Sequence, residues 1–179
     1  MIACKGCCAM TTEAKRQIGG LADHAVRTAD RDDPHAITVA EAHRSELAQI
    51  IALDAKVTGF ARADFWNELI RQRATNETLF ILVAKNRGKI VGYAMGEVRS
   101  WPVRAPACGW LYAIGVEKEH RLHKAASALM LELMARFKKC GVKAIRTVID
   151  VDDHLLMSFL RSFGMTAGPF VELEMTLPE

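Results

Sequence analysis

The chain has 179 residues, half of them hydrophobic and a quarter charged, which predicts one globular domain large enough for a sizeable core. A formal net charge of +3, with no basic run and no basic-aromatic alternation, argues against a nucleic-acid partner. No apolar stretch approaches the roughly 20 residues that a membrane-spanning helix needs, so no membrane partner is expected either.

Residues 1–34 read as an N-terminal extension, flexible or docked, ahead of a domain at 35–179. The extension holds Cys4, Cys7 and Cys8, then Gly19-Gly20 and an acidic run ending at Pro34. No apolar segment follows the start, so no signal peptide is expected. The Cys-x-x-Cys-Cys spacing invites a metal, but no second ligand pair lies nearby and no metal site is assigned. Met10 could be the true start, which would leave Cys108 and Cys140 as the only thiols. Two isolated thiols fit a reducing cytoplasm.

The domain opens with a strand at 36–42. Leu47, Ile50 and Ile51 then fall at helical spacing. A connection around Gly59 leads to a second helix, about Arg62 to Ala74, with Phe65, Trp66, Leu69 and Ile70 inward. Residues 79–98 form a hairpin: two apolar runs flank 85–89, where Asn86 and Gly88 can take unusual backbone angles. Gly92 and Gly96 in the second arm predict bulges or close backbone approach, and Glu97 lies near its end. Residues 100–108 read as a loop with two prolines that could carry specificity.

Residues 109–116 are aromatic and β-branched and predict a buried strand. A charged connection, 117–123, leads into a helix with Ala126, Leu129, Met130, Leu133, Met134 and Phe137 on one stripe. Lys138 and Lys139 suit its C-terminal dipole, and Gly141 is a stop. Residues 142–149 have the composition of another strand. A helix through Leu155, Leu156, Phe159 and Leu160 follows, ended by Gly164, and an apolar segment at 170–176 closes the sheet. A strand feeding a helix through a tight connection leaves free amides at the helix start. Arg121, His123 and Lys124 cluster there, which favours a phosphate or diphosphate; the same residues also read as an ordinary helix start on a solvated loop.

The run AIGVEKEHRLHKAASALM resembles motif A of the GCN5-related N-acetyltransferase (GNAT) superfamily. In that motif, Arg/Gln-x-x-Gly-x-Gly/Ala follows a strand, and its amides hold the diphosphate of acetyl-coenzyme A. Arg121 matches the first position and Ala126 the last, with Leu122, His123, Lys124 and Ala125 between. Lys124 stands where the family usually has glycine. The later order is similar to motif B: Asp153 matches the asparagine opening the helix near the cofactor, Phe159 a phenylalanine, and Gly164-Met165 a Gly-Phe pair. Leu160 replaces a frequent tyrosine. The resemblance covers roughly residues 36–177.

The resemblance implies a GNAT fold of the α/β (α+β) class: a mixed, mostly antiparallel sheet of six or seven strands flanked by about four helices. It implies transfer of an acetyl or short acyl group from coenzyme A to a primary amine, on a small molecule or a protein. It also implies acetyl-coenzyme A as co-substrate. Members frequently dimerise, though no segment here marks an interface. A non-catalytic ligand-binding domain with an impaired coenzyme A loop is the alternative. Ala113, Ile114, Gly115 and Val116 correspond to the splayed strand that binds pantetheine and supplies an amide to the oxyanion. A carboxylate on a neighbouring strand serves as base, which makes Glu97 the first candidate, with Tyr112 as candidate acid. A glutamate known at another family position is Cys108 here and does not transfer. The first two helices would wall the acceptor site, making Thr58, Phe60 and Trp66 candidate contacts. His123, His154, Asp150 and Asp152 read as helix-start and loop residues as readily as functional ones.

Overall fold

The computed structural model describes residues 36–101 and 105–177, apart from the side chains of 101, 105 and 121–123. The predicted extension, with Cys4, Cys7, Cys8 and Met10, therefore lies outside the described residues. The chain divides into two compact units, Met1–Ile145 and Arg146–Glu179.

In the first unit β1 (Ile37–Glu41) leads through a short 3-10 turn to α1 (Leu47–Thr58) and α2 (Ala63–Arg73). Then come β2 (Leu79–Asn86), β3 (Lys89–Trp101), β4 (Ala105–Val116), a 3-10 turn (Lys118–His123) and α3 (Ala125–Lys139). A two-residue β5 (Ile145–Arg146) falls where the first unit gives way to the second. The sheet order is β1-β2-β3-β4-β5, and the first three pairings are antiparallel.

The predicted hairpin is present, with a two-residue turn. Arg87 (φ 47°) and Gly88 (φ 80°) both adopt positive φ, the pattern whose twist matches two paired strands. Gly88 takes its expected angle; its partner in the turn is Arg87 rather than Asn86. The β3–β4 register slips between Met95 and Gly96, which face Ala113 and Leu111, so Tyr112 is the extra residue of a bulge. Gly96 makes the predicted close approach: a Cβ there would lie 2.6 Å from Trp110 O and 2.7 Å from the Phe137 ring.

Two layers cover the sheet. On one face α3 packs Leu129, Leu133 and Phe137, all fully buried, across β1 to β4. On the other, Ile50, Leu53 and Trp66 of α1 and α2 meet Ile81, Val83, Tyr93 and Met95. Gly59 (φ 88°) ends α1, and Gly141 (φ 77°) follows α3.

Several expectations are corrected. Phe65 is exposed while Trp66 carries the inward face of α2. Ala125, not Ala126, is the buried alanine of α3, and Met134 is half-buried. The proline-bearing loop shrinks, because β3 runs on to Trp101 and β4 begins at Ala105. The strand at 142–149 reduces to Ile145–Arg146, and 170–176 is no strand at all, with Val171, Leu173 and Met175 exposed. The sheet therefore has five strands among the described residues, not six or seven. Composition reports fit to a pleated surface, whereas a strand also needs a neighbour to complete its ladder.

In the second unit α4 (His154–Ser162) is capped by Asp153, whose Oδ1 accepts from Leu156 N–H at 2.9 Å. Gly164 (φ 82°) stops it, as expected. Among the described residues, no helix is long and apolar enough to cross a membrane.

Gly96→Ala should lower unfolding stability by about 1–3 kcal/mol, because the new methyl meets a carbonyl oxygen that cannot turn aside. Urea denaturation followed by circular dichroism checks this; an unchanged midpoint would contradict the packing described.

Candidate active site

The bulge in β4 brings two sequence-predicted residues together. Tyr112, displaced from regular pairing, donates its hydroxyl to Glu97 Oε2 at 2.7 Å. Asn76, just beyond α2, donates to Glu97 Oε1 at 2.8 Å. Arg99 Nε lies 3.6 Å from Oε2, and its guanidinium stands 6.0 Å from the Tyr112 ring centroid. Glu97 is half-buried and Tyr112 exposed, so the pair can be reached from solvent. Burial, and then the hydrogen bond to Glu97, push the Tyr112 hydroxyl up to about 12.

The same sheet face carries a buried polar hub that the sequence reading did not single out. Asp54 of α1 is fully buried and accepts four hydrogen bonds. Arg62 gives two, Nε to Oδ2 at 2.9 Å and Nη2 to Oδ1 at 2.7 Å. Trp66 Nε1 gives a third at 2.9 Å and Tyr93 hydroxyl a fourth at 2.7 Å. Burial works against the Asp54 charge, but the bonds from Arg62, Tyr93 and Trp66 outweigh it and hold the carboxyl below its ordinary range. Arg62 also stacks between Phe60 and Phe65, 5.8 and 4.9 Å from their centroids, which orders the α1–α2 connection. The Tyr93 ring lies across Gly115: a Cβ there would sit 2.8 Å from it. One carboxylate thus ties the helix connection to the end of β4. The detectable signal was an acid placed among Ile50, Leu53 and Val57 on an apolar helical stripe.

The other predicted acceptor contacts separate. Thr58 is held at the α1 terminus, donating to Asp54 O and Phe60 O at 2.8 and 3.1 Å. Phe60 is 61% exposed and available. Trp66 has no exposed surface and packs edge-on to Tyr93, so it is a core residue and not a substrate contact. An open cleft of about 670 Å³ between the β1–α1 turn and α2, lined by Arg44, Asp64, Glu68 and Arg71 among others, contains none of the predicted site residues.

At the far end of β4, Val116 leads into the 3-10 turn that holds Arg121, Leu122 and His123. The turn ends at Lys124, whose φ of 60° and ψ of 13° lie in the left-handed region. This is the position where the resemblance expects glycine, and the backbone takes the conformation that glycine favours. Lys124 is the N-cap of α3, yet the helix has no side-chain cap, and its first internal bond runs from Ala128 N–H to Lys124 O at 2.9 Å. The leading amides of α3, at Ala125 and Ala126, are thus the donors a helix start presents to an anion. Gly109 N–H donates to Ala144 O at 2.9 Å, so β5 approaches β4 near Gly109. Ala113, Ile114, Gly115 and Val116 lie beyond that point; Val116 is about 23 Å further along the strand.

Of the remaining predicted residues, Asp153 serves as the α4 cap, Asp150 Oδ1 accepts from Asp152 N–H at 2.9 Å, and His154 is exposed. Cys108 is buried.

A family model for the acetyltransferase (GNAT) family matches residues 45–165. The chain belongs to that family. No curated protein sequence matches this GNAT chain. Solved structures similar in fold include an aminoglycoside 6'-N-acetyltransferase from Acinetobacter haemolyticus, with TM-score 0.69 and 17% identity over 79% of this chain and 99% of that one. A second is an aminoglycoside N-acetyltransferase in complex with coenzyme A, with TM-score 0.71 and 13% identity over 79% and 95%. A third is a ribosomal-protein-alanine N-acetyltransferase from Brucella melitensis biovar Abortus 2308, with TM-score 0.66 and 16% identity over 79% and 100%. At these identities the likeness concerns the GNAT fold.

Asp54→Ala should reduce unfolding stability by about 3–5 kcal/mol, since it strands the Arg62 charge and two buried donors. Because the folded carboxyl lies below its ordinary value of 3.8, the contribution is complete above that pH and disappears as pH falls through the folded value. Denaturation of both proteins at pH 7 and at progressively lower pH should show the gap closing only in strong acid.

Proposed function

We propose that this GNAT protein transfers an acetyl or other short acyl group from coenzyme A to a primary amine, within a direct ternary complex. The observation that carries the reading is the uncapped start of α3 behind a left-handed Lys124, at the end of β4. Diphosphate oxygens would accept from the amides of the 121–126 segment, with Arg121 and Lys124 supplying positive charge. Pantetheine would lie along Ala113 to Val116, and an amide at Ala113 or Ile114 would face the thioester oxygen as it becomes an oxyanion.

The chemistry balances without a metal or covalent enzyme intermediate. The amine nitrogen attacks the thioester carbon, the C–S bond breaks, and the thiolate leaves. The amine loses one proton, directly or through water, to Glu97, and the thiolate gains one. Tyr112 directs its hydroxyl proton at Glu97 Oε2, 2.7 Å away, so that proton is already engaged by the base. Its better role is to orient Glu97, with Asn76 holding the other oxygen. The neighbours' names include both aminoglycoside and ribosomal-protein-alanine acetyltransferases, which supports an amine acceptor of either size.

Calorimetric titration with acetyl-coenzyme A, with free coenzyme A beside it, tests the first step. Saturable binding is expected; none at millimolar cofactor would favour the non-catalytic alternative. With an acceptor found by thiol release, Glu97→Gln should lower kcat by about 10²–10³ and Tyr112→Phe by about tenfold. Equal losses would make Tyr112 a participant rather than an orienting group. Lys124→Gly should raise stability by about 0.5–1 kcal/mol by relieving the left-handed backbone. It should also weaken coenzyme A binding several-fold by removing a cation; tighter binding would instead mark the lysine as an obstruction.

A further inference from the structure

Glu117 stands at the joint between β4 and the turn that carries the cofactor segment, and it is almost fully buried. Its Oε1 accepts from Lys56 Nζ of α1 at 2.9 Å, and its Oε2 from Lys89 Nζ at the start of β3 at 3.0 Å. His120 Nδ1, one turn further on, lies 3.5 Å from Oε2. The backbone is held as firmly: Glu117 N–H donates to Val91 O at 2.9 Å, and Glu117 O accepts from His120 N–H at 2.9 Å. The hydrogen bonds from Lys56 and Lys89 lower the carboxyl below its usual range, so it is charged at neutral pH. Glu117, Glu119 and His120 place ligand atoms within 4.8 Å of one another. Two ammonium groups already balance the Glu117 carboxylate, which disfavours a metal cation.

The lysine stems are largely exposed, at 63% and 62%, while the carboxylate they share is at 9%. Ordinary surface pairs contribute little. A nearly buried carboxylate is different, because it depends on its partners for compensation. The pairing also spans three elements: α1, β3 and the turn. The turn's far end is Lys124 and the leading amides of α3, so the direction of its first residue governs where those amides point.

We propose that Glu117 is a positioning residue for coenzyme A: by gathering Lys56 and Lys89 it fixes the entry of the 118–124 turn and thereby aims the α3 amides at the diphosphate. This rests on the coenzyme A reading above. It also makes α1, which carries Asp54 and the acceptor-side connection, a mechanical neighbour of the cofactor turn.

Calorimetry with coenzyme A on the full chain, paired with hydrogen exchange by mass spectrometry, tests it. Glu117→Gln should raise the coenzyme A Kd about tenfold and speed exchange within 117–127, with protection across β2 and β3 unchanged. Lys56→Met and Lys89→Met should each raise Kd two- to threefold. Adding either lysine change to Glu117→Gln should produce no further loss, because the lysines act through the carboxylate. The lysine variants keep the test decisive if Glu117→Gln fails to fold. A folded Glu117→Gln with Kd within twofold of the native protein would overturn the proposal, as would loosened exchange spread over the whole sheet, the mark of a general stability role. A native protein that binds no coenzyme A removes both this inference and the reading beneath it, and only that outcome does so.

Discussion

Asp54 is a carboxylate without access to water, and the face of the sheet covered by α1 and α2 depends on how it is satisfied. Left alone in the interior, such a charge would be strongly unfavourable. Four hydrogen bonds compensate it, and they come from three different elements: the Arg62 connection, Trp66 of α2 and Tyr93 of β3. Each donor is thereby fixed in place. Arg62 draws the α1–α2 connection inward and leaves Phe60 exposed beside it; Tyr93 is held flat across Gly115. The hub therefore lets one buried charge fix both the α1–α2 connection and the ring that lies across Gly115.

The opposite face is governed by shape rather than charge. Phe137 lies so close to β3 and β4 that Gly96 and Gly109 leave no room for a side chain. This close seating brings α3 down onto the sheet, and with it the helix start next to the end of β4. Between the two faces, the β4 bulge turns Tyr112 toward Glu97. A regular ladder would alternate its side chain to a fixed face; the extra residue breaks that alternation.

Lys124 departs from the motif that the sequence resembles, yet its backbone takes a conformation that glycine favours. A left-handed residue with a Cβ is strained by about 1–2 kcal/mol. The chain accepts that strain and adopts the angle nonetheless. A left-handed backbone and a positive charge therefore stand together at the mouth of the helix.

The order of the elements was legible from apolar periodicity: the hairpin at 79–98, the α3 stripe, and the glycine ends at Gly59, Gly141 and Gly164 all follow from local spacing and backbone freedom. The Glu97–Tyr112 candidates were legible only through resemblance, and their contact was not. It depends on a bulge, which arises from the register of two strands and leaves no mark in either alone. The missing strands at 142–149 and 170–176 fail for a related reason, since β-branched composition expresses a preference while a ladder requires a partner edge. Asp54, Arg62 and Glu117 were hidden because side chains 8, 39 and 61 positions apart meet only after the helices dock. What the sequence determined by itself was the local conformational preference of each segment. Which charges face one another across segments was decided by tertiary packing, because the desolvation that makes those pairings matter exists only once the core has closed.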